Sequence, residues 1–462
     1  MHRPRLDPRT LVAALMVAAA LVGCTSGPRK ISPPLEVPGG FSASGEGQVP
    51  QRWWTVFGHA DLNALVARAL ESNFNLRTAW GRLREARAVV EREAAPLYPQ
   101  IEGIADGEVR RTDSTREERL QLGLTATYEV DLWGRIRSGV EAERHRARAS
   151  LQDYRTAALS LSAEIARTWV RLLEAGAQLD LLDRQIETNE KVLKLLRARL
   201  ATGQTPAVDV LRQRQLVKAT REERIVVESR LQVLRHQLAV LVGRPPQAEI
   251  DYEKDSLPEV PPLPETGLPV ELVRRRPDVR SAFNRLRAAD RELAAAISEQ
   301  YPRLTLSASL TTTGDAAETL FDNWVRSFTG ELVAPLFEGG RLRAEVDRTE
   351  AVKNQRLYEY GQTILSAFQE VEDALIQEKK QIERIGNIRE QVRIADRAYE
   401  QLRLQYSNGA ADFIDVLTEL TDLQQLRRDL LSARLGLLEF RIALYRALAG
   451  GFETERERAN EE

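Results

Sequence analysis

Residues 75–99 read NLRTAWGRLREARAVVEREAAPLYP, and residues 278–302 read DVRSAFNRLRAADRELAAAISEQYP. Both stretches contain an Arg-Leu-Arg triplet and end in Tyr-Pro, and the second lies 203 positions after the first. Further landmarks recur at an offset of 206: Trp133-Gly134-Arg135 with Gly339-Gly340-Arg341, and Val208-Asp209-Val210-Leu211 with Ile414-Asp415-Val416-Leu417. An offset that changes only once, by three residues between the Tyr-Pro and Gly-Arg landmarks, indicates two copies of one supersecondary unit.

Each copy contains a very long helical run. Residues 135–201 contain no proline, and their apolar residues recur at alternating spacings of three and four, as in a coiled coil. Residues 341–407 repeat this pattern. At ~1.5 Å per residue, each run would be about 100 Å long. Turns near 203–206 and 408–411 lead into return helices, so the pattern predicts two antiparallel helical hairpins.

Four segments alternate between apolar and polar residues and are predicted to be strands: 100–109, 120–131, 303–311 and 325–336. The second is close in length to the ~9–11 residues of a tilted membrane strand. A soluble sandwich with one wet face produces the same alternation. Lipid does not tolerate open sheet edges, and four strands are too few to close a barrel. Strands that span a bilayer would therefore have to be pooled by several chains, and a trimer would supply twelve.

The N-terminus has the features of a bacterial lipoprotein signal. Three arginines precede an apolar run over 11–21, which predicts a signal peptide over 1–23. Leu21-Val22-Gly23-Cys24 resembles a lipobox, so we expect cleavage before Cys24 and acylation of its thiol. Thr25 replaces the aspartate that retains many such proteins in the inner membrane. The alternative is an ordinary signal peptide with an incidental cysteine.

The remaining boundaries follow from the repeat. After a lipidated N-terminal extension over 24–59, the first copy is predicted over 60–243 and the second over 270–450, separated by a linker over 244–269 that holds seven prolines. A polar tail over 451–462 is expected to be disordered. The first helix of each copy is expected over 60–95 and 270–299.

Composition argues against several functions. A net charge of −2 with Arg and Glu interspersed gives no basic patch for nucleic acid. The histidines are far apart in sequence, so no metal site is expected. No cofactor is expected beyond the covalent lipid on Cys24. A lipid-anchored periplasmic hydrolase would need a catalytic constellation outside the repeat, and none is visible, so the chain is not expected to be an enzyme.

Four motifs carry a resemblance to a known family: Asp131-Leu132-Trp133-Gly134-Arg135, Arg275-Arg276-Pro277-Asp278-Val279-Arg280, Tyr301-Pro302 and Leu336-Phe337-Glu338-Gly339-Gly340-Arg341. In this order the chain resembles the outer-membrane factor family of tripartite efflux systems, the TolC-like ducts, in its lipoprotein branch. The resemblance implies a mainly α fold with membrane β, internally duplicated. It also implies a homotrimer with a 12-stranded β-barrel in the outer membrane and a long α-helical barrel in the periplasm.

The resemblance also implies partners and an activity. The duct would dock onto a periplasmic adaptor protein and an inner-membrane pump, contact outer-membrane lipid, and passively export small molecules such as drugs or other toxic compounds. The alternative is a trimeric coiled-coil lipoprotein of the outer membrane with a structural or binding role.

The hairpin turns would form the periplasmic gate. By position, the resemblance assigns gate roles to Tyr406, Asp412, Ile414, Asp415 and Asp209, and turn and adaptor-contact roles to Gly203 and Gly409. Rings of carboxylates attract cations, and apolar rings block flow by dewetting. Two residues depart from the pattern, because Ala411 replaces an arginine and Thr418 an aspartate of some relatives. For Asp209 and Asp415, capping of a helix N-terminus is the alternative role.

Overall fold

The two copies fold into the same series of elements. A computed structural model of the chain describes residues 34–113, 116–250, 252 and 256–459. The predicted signal peptide 1–23 and lipidation site Cys24 lie outside these residues. The first copy contains α1 (Ala60–Ser72), α2 (Phe74–Ala94), β1 (Gln100–Arg111), β2 (Arg116–Val130), α3 (Arg135–Ala201) and α4 (Ala207–Leu241). The second contains α5 (Pro269–Arg275), α6 (Pro277–Ser298), β3 (Arg303–Gly314), β4 (Trp324–Val333), α7 (Arg341–Ser407) and α8 (Phe413–Leu448), and a short α9 (Glu455–Arg458) follows.

The long helices α3 and α7 have 67 residues each and begin directly after glycines with positive φ. Gly134 has φ 76° and Gly340 has φ 85°, a conformation that a Cβ disfavours. Upstream of α3, the Asp131 carboxylate accepts hydrogen bonds from the backbone N–H groups of Ile136 (3.1 Å) and Arg137 (2.9 Å). These are among the N–H groups that a helix start leaves unpaired, so the Asp-Leu-Trp-Gly-Arg motif sets the point where strand becomes helix.

The first helix of each copy is broken, and the single helices expected over 60–95 and 270–299 are wrong. The first break is at Asn73, whose side chain accepts a hydrogen bond from the Leu76 N–H and donates one to the Leu241 carbonyl. The second is at Arg276, which precedes Pro277 and therefore adopts an extended conformation. Both breaks fall at the same position of the repeat, although the contacts that stabilise them differ.

The four strands form one antiparallel sheet in the order β1-β2-β3-β4, so the pairing of β2 with β3 joins the two copies. The register separates the side chains onto two faces. The apolar face includes Leu124, Ala126, Leu306, Ala308, Phe328 and Leu332, and the polar face includes Thr125, Thr127, Ser307, Ser309, Ser327 and Thr329. β4 ends at Val333 rather than at 336, since Pro335 cannot donate a ladder hydrogen bond.

The main core lies where the N-terminal segment packs against α1, α3 and α8, within the unit Val37–Glu462. Trp53, in a 3-10 helix (Trp53–Phe57), is 0% exposed, stacks against Tyr445 and donates a hydrogen bond to the Ser162 hydroxyl. The expectation of a disordered tail is wrong for residues 452–458. There Phe452 is buried, Thr454 and Glu457 form a capping box, and Glu457 pairs with Arg155 at 2.9 Å.

Within the described ranges, none of the helices carries a stretch both long and apolar enough to cross a bilayer.

Candidate functional site

The two hairpin turns are built on the same glycine geometry. Gly203 has φ 70° and Gly409 has φ 76°, and the space next to each Cα is open. The N–H of the following residue bonds to the carbonyl five residues earlier, at 2.9 Å for Gln204 to Arg199 and 2.8 Å for Ala410 to Gln405. This is the bonding of a Schellman helix end, which needs a left-handed residue. The requirement for glycine is therefore conformational and not steric.

In the first turn, an aspartate is held by its neighbours. Asp209 is 7% exposed, and its Oδ2 accepts a hydrogen bond from the Thr205 hydroxyl at 3.0 Å. Its Oδ1 lies 3.8 Å from the guanidinium of Arg212, one turn further along α4. These contacts fix the carboxylate against its own hairpin.

In the second turn, the equivalent aspartate is free. The repeat aligns Thr205 with Ala411, so the hydroxyl that holds Asp209 has no counterpart in the second turn. Asp415 and Asp412 are exposed, and in the part of the chain that the structure covers neither carboxylate has a hydrogen-bond or ion-pair partner. Ile414 is 40% exposed beside them. The second tip therefore presents one apolar side chain and two carboxylates that have no hydrogen-bond or ion-pair partner among the described residues.

Tyr406 connects the two turns. Its hydroxyl lies 3.4 Å from that of Thr205, and the guanidinium carbon of Arg199 lies 5.1 Å from its ring centroid. On the other side its ring packs against buried Phe413, with centroids 5.6 Å apart. Residues from the ends of α3 and α7 thus form one cluster. The resemblance assigns no role to Thr205 or Arg199, although the mismatch of Thr205 with Ala411 between the two copies is a signal for Thr205.

Neither aspartate is the N-cap of its helix. The N-cap residues are Pro206 for α4 and Asp412 for α8, and neither side chain makes a capping hydrogen bond. Asp209 and Asp415 lie in the first helical turn, where a negative charge interacts favourably with the helix dipole, by about 0.3–1 kcal/mol. Thr418, at the other departure from the family pattern, donates its hydroxyl to the Ile414 carbonyl at 2.9 Å.

No group of three or more His, Cys, Asp or Glu side chains among the described residues is arranged to hold a metal ion. The tip cluster offers charge, aromatic packing and hydrogen bonding.

Comparisons with known proteins cover nearly the whole chain. The profile of a family described as "Outer membrane efflux protein" matches residues 65–244 and 268–450, the two copies of the repeat. The pyoverdine export outer membrane protein OpmQ of Pseudomonas aeruginosa is 31% identical, over 96% of this chain and 98% of its own. The cation efflux system protein CusC of Escherichia coli is 28% identical, over 95% and 98%.

The fold is also that of a solved channel. The outer-membrane channel OprN superposes with a TM-score of 0.87 at 27% identity, over 93% of this chain and 99% of that structure. The predicted fold, outer-membrane location and efflux role are confirmed by these matches. The hydrolase alternative is wrong, because members of the family are efflux channels and not enzymes. The family profile, the sequence relatives and the solved structure together show that this chain belongs to the outer membrane efflux protein family.

Proposed function

We propose that this chain is one subunit of a homotrimeric duct that passively exports small molecules. The observation that carries the proposal is the sheet, whose outer strands β1 and β4 each have one unpaired edge. Unpaired backbone groups are costly in lipid, so the edges must be closed by other copies. Three copies of a four-stranded sheet supply twelve strands, with the apolar face toward lipid and the polar face lining a water-filled passage.

The gate of this duct is the cluster at the hairpin tips. The carboxylate of Asp415 is exposed and has no partner in the part of the chain that the structure describes, so it is available to form a ring with its counterparts in the other copies, while Asp209 is occupied within its own hairpin. Such a ring concentrates cations, and the neighbouring Ile414 narrows the passage with an apolar surface. Tyr406 and Thr205 hold the two tips of one subunit together. Opening would separate these contacts.

Partners are expected at both ends of the molecule. The turns at Gly203 and Gly409 are exposed and are the surfaces we assign to a periplasmic adaptor, which links the duct to an inner-membrane pump. Acyl chains on Cys24 would hold the N-terminus at the outer membrane. One relative is named for pyoverdine export and another for cation efflux, which supports small-molecule cargo chosen by the pump.

Single-channel recording in planar bilayers tests the duct and the gate together. The lipidated protein purified in detergent is compared with Asp415→Ala and with Asp422→Ala. The second variant removes one exposed carboxylate that lies further from the turn on the same helix. We expect small, cation-preferring openings in the wild type, longer or larger openings in Asp415→Ala, and wild-type gating in Asp422→Ala. Equal gating in all three proteins would show that Asp415 is not part of the gate. A folded trimer without conductance would exclude the duct and favour the structural lipoprotein.

A further inference from the structure

One arginine lies on the apolar face of the sheet. Arg326 is opposite Leu310 on β3, which is opposite Leu124 on β2, so all three side chains share that face. Within the rungs where the four described strands pair, it is the only charged residue of the apolar face. A bilayer-facing arginine is unfavourable unless its charge finds a partner or reaches the interface.

No partner for this guanidinium exists in the described part of the chain. Arg326 is exposed and makes no side-chain hydrogen bond or ion pair there. Among the described strand residues, the carboxylate on the same face is that of Glu118, which lies on the projecting part of the β1–β2 hairpin and pairs with Arg116. The charge of Arg326 is therefore uncompensated among the described residues of one subunit.

In the closed sheet proposed above, a neighbouring copy would not place a strand carboxylate beside Arg326 on the apolar face either. In a closed sheet β4 pairs with β1 of the next copy, and β1 carries Ile101, Gly103, Ala105, Gly107 and Val109 on the apolar face. None of these residues has a side chain that can accept a hydrogen bond. Because the two glycines have no side chain, the surface of β1 beside β4 would be recessed. Assembly would leave Arg326 facing lipid beside a shallow groove.

The position of Arg326 along the strand indicates which leaflet it meets. β4 starts at Trp324, directly after the hairpin turn, and ends toward α7. The helical part of this family is periplasmic, so the hairpin end faces the exterior. Trp324 is half exposed and packs near Phe321, as expected of aromatic residues at a membrane interface. Two residues along a strand span about 6–7 Å, a distance that an arginine side chain covers.

We propose that Arg326 binds the phosphate of a phosphorylated glycolipid in the outer leaflet of the outer membrane. The guanidinium would extend toward the level of Trp324 and hold two phosphate oxygens in a bidentate contact. The acyl chains of the same lipid would pack on Phe328, which is 75% exposed, and on Leu332. The site would recur at each boundary between subunits and seal it. This inference rests on the membrane orientation of the sheet proposed above.

Native mass spectrometry of the detergent-purified full-length protein tests the site, with diphosphorylated lipid A as the probe. We compare the wild type with Arg326→Gln, Arg326→Lys and Arg119→Gln, the last removing an arginine from the polar face of β2. Loss of a charge-assisted contact should weaken lipid A binding roughly tenfold in Arg326→Gln. We expect partial retention in Arg326→Lys and no change in Arg119→Gln.

Three outcomes would overturn the proposal: equal lipid A binding by wild type and Arg326→Gln, equal competition by phosphatidylglycerol, or displacement of the lipid by inorganic phosphate. Conductance measured on the same preparations separates this inference from the proposed duct. If Arg326→Gln conducts and binds lipid A normally, the lipid site is wrong while the duct stands. If no variant conducts, the duct itself has failed.

Discussion

Thr205 accounts for the difference between the two hairpin tips at the scale of single residues. Its hydroxyl contacts both Asp209 and Tyr406, and the repeat places Ala411 at the matching position of the second tip. We expect Thr205→Val to remove the contacts to Asp209 and Tyr406 and to lower the free energy of unfolding by about 1 kcal/mol. The open time in planar-bilayer recordings should increase. Thr202→Val is the control, since its hydroxyl bonds only to backbone carbonyls of its own helix. Unchanged open times in Thr205→Val would remove Thr205 from the gate.

The contacts of Arg276 and Asp278 give the Arg-Arg-Pro-Asp motif a structural role. Arg276 is buried, although the sequence places it in an arginine run that resembles a surface patch. It donates hydrogen bonds to Asp278 at 2.6 Å, to Glu370 at 2.8 Å and to the Ala447 carbonyl at 3.2 Å. The motif therefore joins the break between α5 and α6 to both α7 and α8.

This pair makes stability depend on acid pH. Burial raises the pKa of the Asp278 carboxyl, but hydrogen bonding to Arg276 and its charge outweigh burial and lower the pKa below its ordinary 3.8. The stabilisation is present above pH 3.8 and is lost as the pH falls through the lower folded-state pKa. We expect Asp278→Asn to lose on the order of 2 kcal/mol near pH 7 and to show a shallower decline in unfolding temperature below pH 4. Asp396→Asn, which breaks an exposed pair with Arg427, should follow the wild-type curve.

At the scale of elements, a buried ion pair joins α7 and α8. The guanidinium of Arg441 binds both oxygens of Glu378, at 2.8 and 2.5 Å, and also donates to the Pro261 carbonyl of the linker. The two side chains are 4% and 5% exposed. Glu378→Ala would leave an uncompensated buried charge, and we expect it to cost about 3–5 kcal/mol.

Denaturant midpoints in detergent would measure this effect. The control is Glu383→Ala, which breaks a largely exposed pair with Lys380 and should cost less than about 1 kcal/mol. The double variant Glu378→Met with Arg441→Leu should recover much of the loss, because two apolar side chains leave no charge unpaired. Similar midpoints for Glu378→Ala and Glu383→Ala would show that the buried pair does not hold the hairpin to the linker.

Which elements the sequence could predict depends on how local their causes are. Long heptad-like runs, strand alternation and turn glycines are local patterns, and α3, α7, all four strands and both turns follow from them. The break at Asn73 depends on a hydrogen bond to Leu241, and the docked tail depends on Arg155. These contacts join residues far apart in sequence, so no local pattern predicts them. The tip cluster could be predicted only in part, because the repeat locates both tips but does not predict the contact of Thr205 with Tyr406.

At the scale of the whole molecule, duplication produces one sheet from two hairpins, with β2 and β3 as the internal seam. Each copy also contributes one long hairpin and one turn. A subunit therefore already contains two related halves, and an assembly of three has six similar units around its axis. The tips depart from that similarity, because Asp209 is held and Asp415 is free. If Asp415 forms the proposed gate, this asymmetry would place the gating carboxylates on alternate units.

Closure of the sheet between copies can be tested by disulfide cross-linking, because Cys24 is the only native cysteine. A cysteine at Thr329 on β4 is combined in turn with one at Glu102, Asp106 or Glu108 on the polar face of β1. In one chain β1 and β4 are separated by β2 and β3, so a bond between them joins different copies. We expect at least one of these cysteine pairs to form oxidant-dependent species of two and three cross-linked chains on non-reducing gels. No species of more than three chains is expected.

The matched control places both cysteines within one subunit. Ser309 and Ser327 are paired across β3 and β4, with hydroxyls 2.6 Å apart, so Ser309→Cys with Ser327→Cys should form a bond without joining chains. A ladder that stops at two chains would mean eight strands and would contradict the trimer while keeping pooled strands. A ladder without an upper limit would mean open, filament-like addition at the sheet edges. A ladder that ends at three is expected only if the twelve strands close.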